Sequence, residues 1–179
     1  MGQESFTFKG ANGQEIFCWR WDAAAQPLGV LQIFHGMAEH AGRYADFAQY
    51  LNTQGFTVYA CDMRGHGRTG ELNGDSCHMG KGGFIGSVED QALLMNLIKE
   101  KHPGVPLTIL GHSFGSFLAQ EFIKHHGGEI AGLILSGSSY MKGADISAGY
   151  VLAKLSMLIG SRRPNKLLDK LSFGSYNKR

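Results

Sequence analysis

Residues 107–116 read LTILGHSFGS, and no other stretch of the chain constrains its fold as tightly. Leu107–Leu110 is a short apolar run suited to a strand buried on both faces. Phe117, Leu118, Glu121 and Phe122 then recur at helical spacing. Between them lies Gly111-His112-Ser113-Phe114-Gly115, a G-x-S-x-G sequence at a strand-to-helix junction. So sharp a junction strains the backbone of the serine and lifts its hydroxyl clear of the sheet. Glycines two before and two after it remove side chains that would collide there. The pattern is that of a nucleophile elbow, which makes Ser113 the candidate nucleophile.

The rest of the chain continues the alternation. Ser5–Lys9 and Glu15–Trp21 are apolar-rich runs separated by a segment with Asn12-Gly13, a hairpin signal. Residues 28–34 form a continuous apolar strand running into His35-Gly36. Residues 43–53 carry a helical apolar face (Tyr44, Phe47, Ala48, Leu51) that stops at Gly55. Phe56–Cys61 is a further strand, residues 62–86 a long glycine-rich loop, and residues 87–101 an amphipathic helix ending before Pro103. The helix at 114–126 and the strand at 130–136 follow the serine. A hairpin followed by strand–helix–strand units predicts an α/β fold with a mostly parallel sheet and helices on both faces. Ligands of such sheets bind at the carboxyl ends of the strands. His35-Gly36-Met37, Asp62–Gly67 and the serine bend all fall there. The 26 glycines among 179 residues, about twice the usual share of roughly 7%, suit this many tight connections.

Composition narrows the function. A net charge of +2 gives no basis for nucleic-acid or anionic-membrane binding. Cys18, Cys61 and Cys77 are odd in number and lack C-x-x-C spacing, so they read as free thiols in a reducing compartment rather than a zinc site or disulfide framework. The first ten residues lack an apolar leader core and have Phe6 where a myristoylation signal needs Ser or Thr. No run reaches the roughly 18 apolar residues of a spanning helix. The expected location is cytoplasmic, with no stable membrane insertion, no metal and no cofactor.

Three stretches together resemble one family. HGMAEHAGRY at 35–44 resembles H-G-x-x-E-H-x-x-R-Y, DMRGHGRTG at 62–70 resembles D-x-R-G-H-G-x-S, and GHSFGS at 111–116 resembles G-H-S-M-G-S. These are motifs of the α/β-hydrolase fold, in its monoacylglycerol lipase/lysophospholipase-like branch (serine aminopeptidase S33, Hydrolase-4). The resemblance runs from about residue 5 to 140. It implies residues 1–143 as the N-terminal part of the hydrolase core and residues 144–179 as the start of a helical cap. The C-terminal part of the core and most of the cap are expected to be missing. The apolar 146–159 segment is expected either to line an acyl-chain entrance or to pack the cap onto the core.

The resemblance implies an ester hydrolase acting on a small acyl ester or lipid. Ser113 would attack the carbonyl, and the oxyanion would be held by two backbone N–H groups. Phe114 supplies one by the geometry of the bend, and the resemblance assigns the other to Met37. It also places Glu39 and Arg43 against a polar head group; the alternative for these two is a surface ion pair or a loop anchor. His35, His40 and Arg64-Gly65-His66 read as structural. In this fold the chain order is Ser, then Asp or Glu, then His. The histidines after Ser113 are His125 and His126, about 18 Å along the same helix at 1.5 Å per residue. His112, the preceding residue on the strand, should point to the opposite side. The acid and base are therefore expected beyond residue 179. A sheet ending there leaves an open edge for pairing. An aminopeptidase or other small ester or amide hydrolase, and a non-catalytic module, remain as alternatives.

Overall fold

The computed structural model describes residues 2–139. Strands β1 (Gly2–Lys9) and β2 (Glu15–Asp22) form an antiparallel hairpin in the register Lys9↔Glu15 to Gly2↔Asp22. Their connection is a single 3-10 turn, Ala11–Gly13, rather than a two-residue turn. Asn12 (φ 58°) and Gly13 (φ 76°) take the left-handed conformation for which the Asn-Gly pair is suited. Strands β3 (Gly29–Phe34), β4 (Phe56–Cys61), β5 (Leu107–His112) and β6 (Gly132–Ser136) complete a six-stranded sheet in the order β1-β2-β4-β3-β5-β6. The β3–β4, β3–β5 and β5–β6 pairs are parallel; β2 joins β4 antiparallel.

Side chains alternate between two apolar layers, as the period of two in a strand requires. Ile16, Cys18, Val30, Phe34, Tyr59, Cys61, Leu107 and Ile109 enter one layer, together with α3 (Gly83–Lys101) and α4 (Phe114–His126). Trp21, Leu31, Ile33, Val58 and Ala60 enter the other, where Ala48 of α1 (Ala45–Thr53) packs. The helices thus cover both faces, as the alternation of elements predicts. At β6 the burial fades: Leu133 packs on the first layer, while Ile134 is 49% exposed. Segment 144–179, with its expected cap, lies outside the described residues.

The loop expected over 62–86 differs most from the structure. It holds a helix, α2 (Gly67–Asn73), and α3 starts four residues before Ser87. The α2 sequence GRTGELN has two glycines and little apolar periodicity, so intrinsic propensity argues against a helix. Tertiary bonds form it. Asp62 Oδ2 accepts the Arg68 N–H at 2.8 Å, Thr69 Oγ1 accepts the Phe17 N–H at 2.9 Å, and Asn73 donates to the Glu15 carbonyl at 2.8 Å. Gly67 (φ 46°) is required: a Cβ there would stand 2.3 Å from Asp62 Oδ2.

A buried ion pair ties this region to the hairpin and α3. Arg64, 1% exposed, donates Nε–H to Asp90 Oδ2 at 2.7 Å and Nη2–H to Asp90 Oδ1 at 2.9 Å. The rest of the guanidinium binds the Ala11 and Lys81 carbonyls, and the Ala11 N–H reaches Asp90 Oδ1 at 2.7 Å. Both charges are paired and hydrogen-bonded, the condition under which burying them is tolerated. Removing one partner leaves the other charged and dry. Asp90→Ala in the full-length protein is expected to cost about 3–5 kcal/mol in urea unfolding; a loss under about 1 kcal/mol contradicts this account of the anchor.

Candidate active site

Ser113 links β5 to α4 with φ 50° and ψ −117°, a conformation that non-glycine residues rarely adopt. Such backbone costs about 1–3 kcal/mol and persists only where its surroundings over-determine it. Here they do. The Ser113 N–H donates to the Ser136 carbonyl at 2.8 Å, and its own carbonyl accepts the Ser116 N–H at 2.9 Å and the Ser116 hydroxyl at 2.6 Å. The residue itself is exposed. Gly115 makes the bend possible. A Cβ at that position would fall 2.0 Å from the Phe34 carbonyl oxygen and 2.6 Å from that of His35. The first turn of α4 is therefore seated on the end of β3, where the 35–41 segment begins. The Phe114 ring packs edge-on against Phe84 of α3, with centroids 5.9 Å apart.

The 35–41 segment carries Met37, which is 48% exposed. A turn at Met37-Ala38 places Ala38 at φ 58°, another strained position. Side chains hold it on every side. His35, fully buried, donates Nδ1–H to the Gly36 carbonyl at 2.7 Å and accepts the Met63 N–H on Nε2 at 2.9 Å. These two partners assign the tautomer. Glu39 Oε1 accepts the Gly36 N–H and, at 2.8 Å, the Tyr44 hydroxyl; Oε2 accepts Arg43 at 2.8 Å. Asp62 Oδ1 accepts the Ala41 N–H at 2.7 Å. Asp62 thus bonds the Ala41–Tyr44 turn with one oxygen and α2 with the other.

Burial holds the His35 pKa down to about 4, against the smaller raising effect of the Gly36 bond. Burial raises the Glu39 carboxyl, but the Gly36 N–H, the Tyr44 hydroxyl and the neighbouring positive charge outweigh it and leave the pKa below the usual range. Burial and the same carboxylate push the Tyr44 phenol up. At neutral pH the segment therefore holds a neutral His35 and an ionised Glu39.

The structure brings Ser113 and the Phe114 backbone to a bend at the carboxyl end of the parallel strands, with the Met37 turn leaving the neighbouring strand. Glu39 and Arg43 form an ion pair whose arginine side chain is 70% exposed. His112 lies close to Ser136, Nδ1 to Oγ 3.4 Å, with its ring beside Gly36 and Gly137. Among the described residues no histidine hydrogen-bonds Ser113 Oγ, and no group of His, Cys, Asp and Glu could hold a metal ion. Cys18 and Cys61 are buried free thiols; Cys77 is free and exposed. Sequence reasoning gave Asp62 no task, although a carboxylate directly after a continuous apolar strand signals one. No signal pointed to Asp90, a buried charge on a helix face.

A family model described as serine aminopeptidase, S33 (Hydrolase_4) matches residues 25–178. The chain is 33% identical over 165 residues to a monoacylglycerol lipase of Mycolicibacterium smegmatis, covering 92% of this chain and 56% of that protein. It is 28% identical over 164 residues to monoglyceride lipase of Homo sapiens, covering 92% and 50%. A thermostable carboxyl esterase from Bacillus coagulans, solved with glycerol, superposes with a TM-score of 0.83 at 30% identity, covering 96% of this chain and 56% of that one. The chain spans about half the length of the curated relatives it matches.

His35 makes stability depend on pH in a defined direction. An unfolded histidine titrates near 6.5, whereas the folded one titrates at about 4. Between those values the unfolded chain binds the extra proton, so stability is full above about pH 6.5 and falls as pH drops toward 4, by about 3 kcal/mol in all. Glu39, with its lowered pKa, adds to the loss only at the acid end. Urea unfolding from pH 7.5 to 4.5 should show this slope in the native protein and a flatter one in His35→Gln; parallel slopes would count against it.

Proposed function

The chain belongs to the serine aminopeptidase S33 family of α/β-hydrolases, and on that premise we propose that it is a serine ester hydrolase acting on acyl lipids of monoacylglycerol or lysophospholipid type. Ser113 Oγ attacks the ester carbonyl and forms an acyl-enzyme. The developing oxyanion accepts hydrogen bonds from the backbone N–H groups of Met37 and Phe114. One such donor is worth about 3–4 kcal/mol of barrier. The reading needs a histidine base and an orienting carboxylate from outside residues 2–139. Glu39 and Arg43, paired with each other, face the polar head group. The cytoplasm is the location that suits the three free thiols.

The observation that carries this reading is the exposed Ser113 at φ 50° on a bend seated against β3. Strain of that kind is kept where it serves a function. The relatives named as monoacylglycerol and monoglyceride lipases support the lipid substrate.

A fluorophosphonate probe tests the nucleophile. The full-length protein should be labelled at Ser113, and Ser113→Ala should not; labelling that survives the substitution refutes the assignment. The family description favours a second reading, an aminopeptidase on the same serine. A panel of esters and aminoacyl amides separates the two. Preference for long-chain acyl esters is expected, and turnover of aminoacyl amides alone would replace the lipid assignment.

A further inference from the structure

The two peptide units around Gly36 are each gripped by a different side chain. The unit between His35 and Gly36 presents its N–H to Glu39 Oε1. The next unit presents its carbonyl to His35 Nδ1 at 2.7 Å and bears the Met37 N–H on its opposite edge. A trans peptide is planar, so fixing the carbonyl fixes the N–H direction. Glu39 is an unusual group for this task on a surface turn. Its side chain is only 7% exposed, and it takes three donors: Gly36 N–H, Tyr44 hydroxyl and Arg43 guanidinium. An ionised carboxylate is acceptor-only and has lone pairs for all three. The turn it spans contains the strained Ala38, which would relax if the clasp opened.

We propose that Glu39 is a positioning residue for the oxyanion hole: its carboxylate clasps the Gly36 N–H and the Tyr44 hydroxyl, and so holds the Met37 N–H in the direction of the Ser113 bend. The inference rests on the esterase reading above and changes what Glu39 does within it. Glu39 acts through the backbone rather than on the substrate, and head-group contact falls to Arg43. His35 grips the following peptide from the buried side, so the two units that flank Gly36 are held one from the surface and one from the core. A negative charge beside an oxyanion site is tolerable because its oxygens are already occupied by donors, one of them cationic.

A positioning role and a head-group role differ in which kinetic constant moves and on which substrate. In the full-length protein, Glu39→Gln should lower kcat by about tenfold to hundredfold, as small misplacements of catalytic groups do. The loss should be equal on p-nitrophenyl butyrate, which has no polyol head group, and on a monoacylglycerol, with KM moved less than about twofold. The rate of fluorophosphonate labelling at Ser113 should fall in step. A rise in KM confined to the monoacylglycerol, with the p-nitrophenyl ester unaffected, overturns the inference and restores the head-group role. If Glu39→Gln does not fold, Tyr44→Phe decides, because it removes one donor from the clasp and keeps the ring. An equal, smaller kcat loss on both esters supports the proposal, and unchanged kcat on both overturns it. Absence of labelling at Ser113 in the native protein would defeat the esterase reading instead, so the two failures are distinct.

Discussion

Gly115 meets the carbonyl oxygens of Phe34 and His35 at a distance no side chain would permit, and the arrangement of the site follows from that approach. It seats the first turn of α4 on the end of β3. It requires the chain to reverse sharply after β5, which places Ser113 at positive φ and exposes it. It also brings the N-terminus of α4 to where the 35–41 segment leaves the sheet. The strain at Ser113 is opposed by bonds to Ser136 and Ser116, and that at Ala38 by the clasp around Gly36. Two strained residues therefore lie on the connections that leave the carboxyl ends of neighbouring parallel strands.

Buried charge does the remaining work of holding the connections. Asp62 bonds the Ala41–Tyr44 turn and α2 at once, and Arg64 with Asp90 joins the hairpin, the 62–82 segment and α3. Such groups add little net stability over an apolar core, but breaking one leaves an uncompensated charge. They tie the connections after β3 and β4 to the hairpin and to α3 through side-chain bonds. Rigid support of this kind is what a pair of backbone donors needs if they are to be in place before charge develops on a substrate.

Much of this architecture was legible in the sequence where local pattern and tertiary packing agree. The apolar runs at β3, β4 and β5 and the bend at 111–115 fall as their residues indicate, and so does the helix after the serine. The hairpin signal at Asn12-Gly13 is also met, through a 3-10 turn. Helix α2 was not legible, because Gly67 and Gly70 argue against a helix locally and the bonds that hold it run from Thr69 and Asn73 to Phe17 and Glu15 of β2 and from Arg68 to Asp62. Asp90 was hidden for the same reason: nothing in a helix sequence reveals that a carboxylate on its surface faces a buried guanidinium. At the site, Ser113 is marked as the candidate by its neighbours in the sequence, whereas Glu39 read equally as a head-group contact and as part of an ion pair or loop anchor. Its bonds to the backbone depend on how residues 36–44 curl back on themselves, which no spacing rule shows.

The most direct test of the account is a structure of the full-length protein after reaction with a phosphonate ester. The adduct should sit on Ser113 Oγ with its phosphonyl oxygen about 3 Å from both the Met37 and Phe114 nitrogens, and with Glu39 still bonded to Gly36. An adduct on another residue, or an oxygen turned to solvent with the Met37 N–H pointing elsewhere, would contradict it.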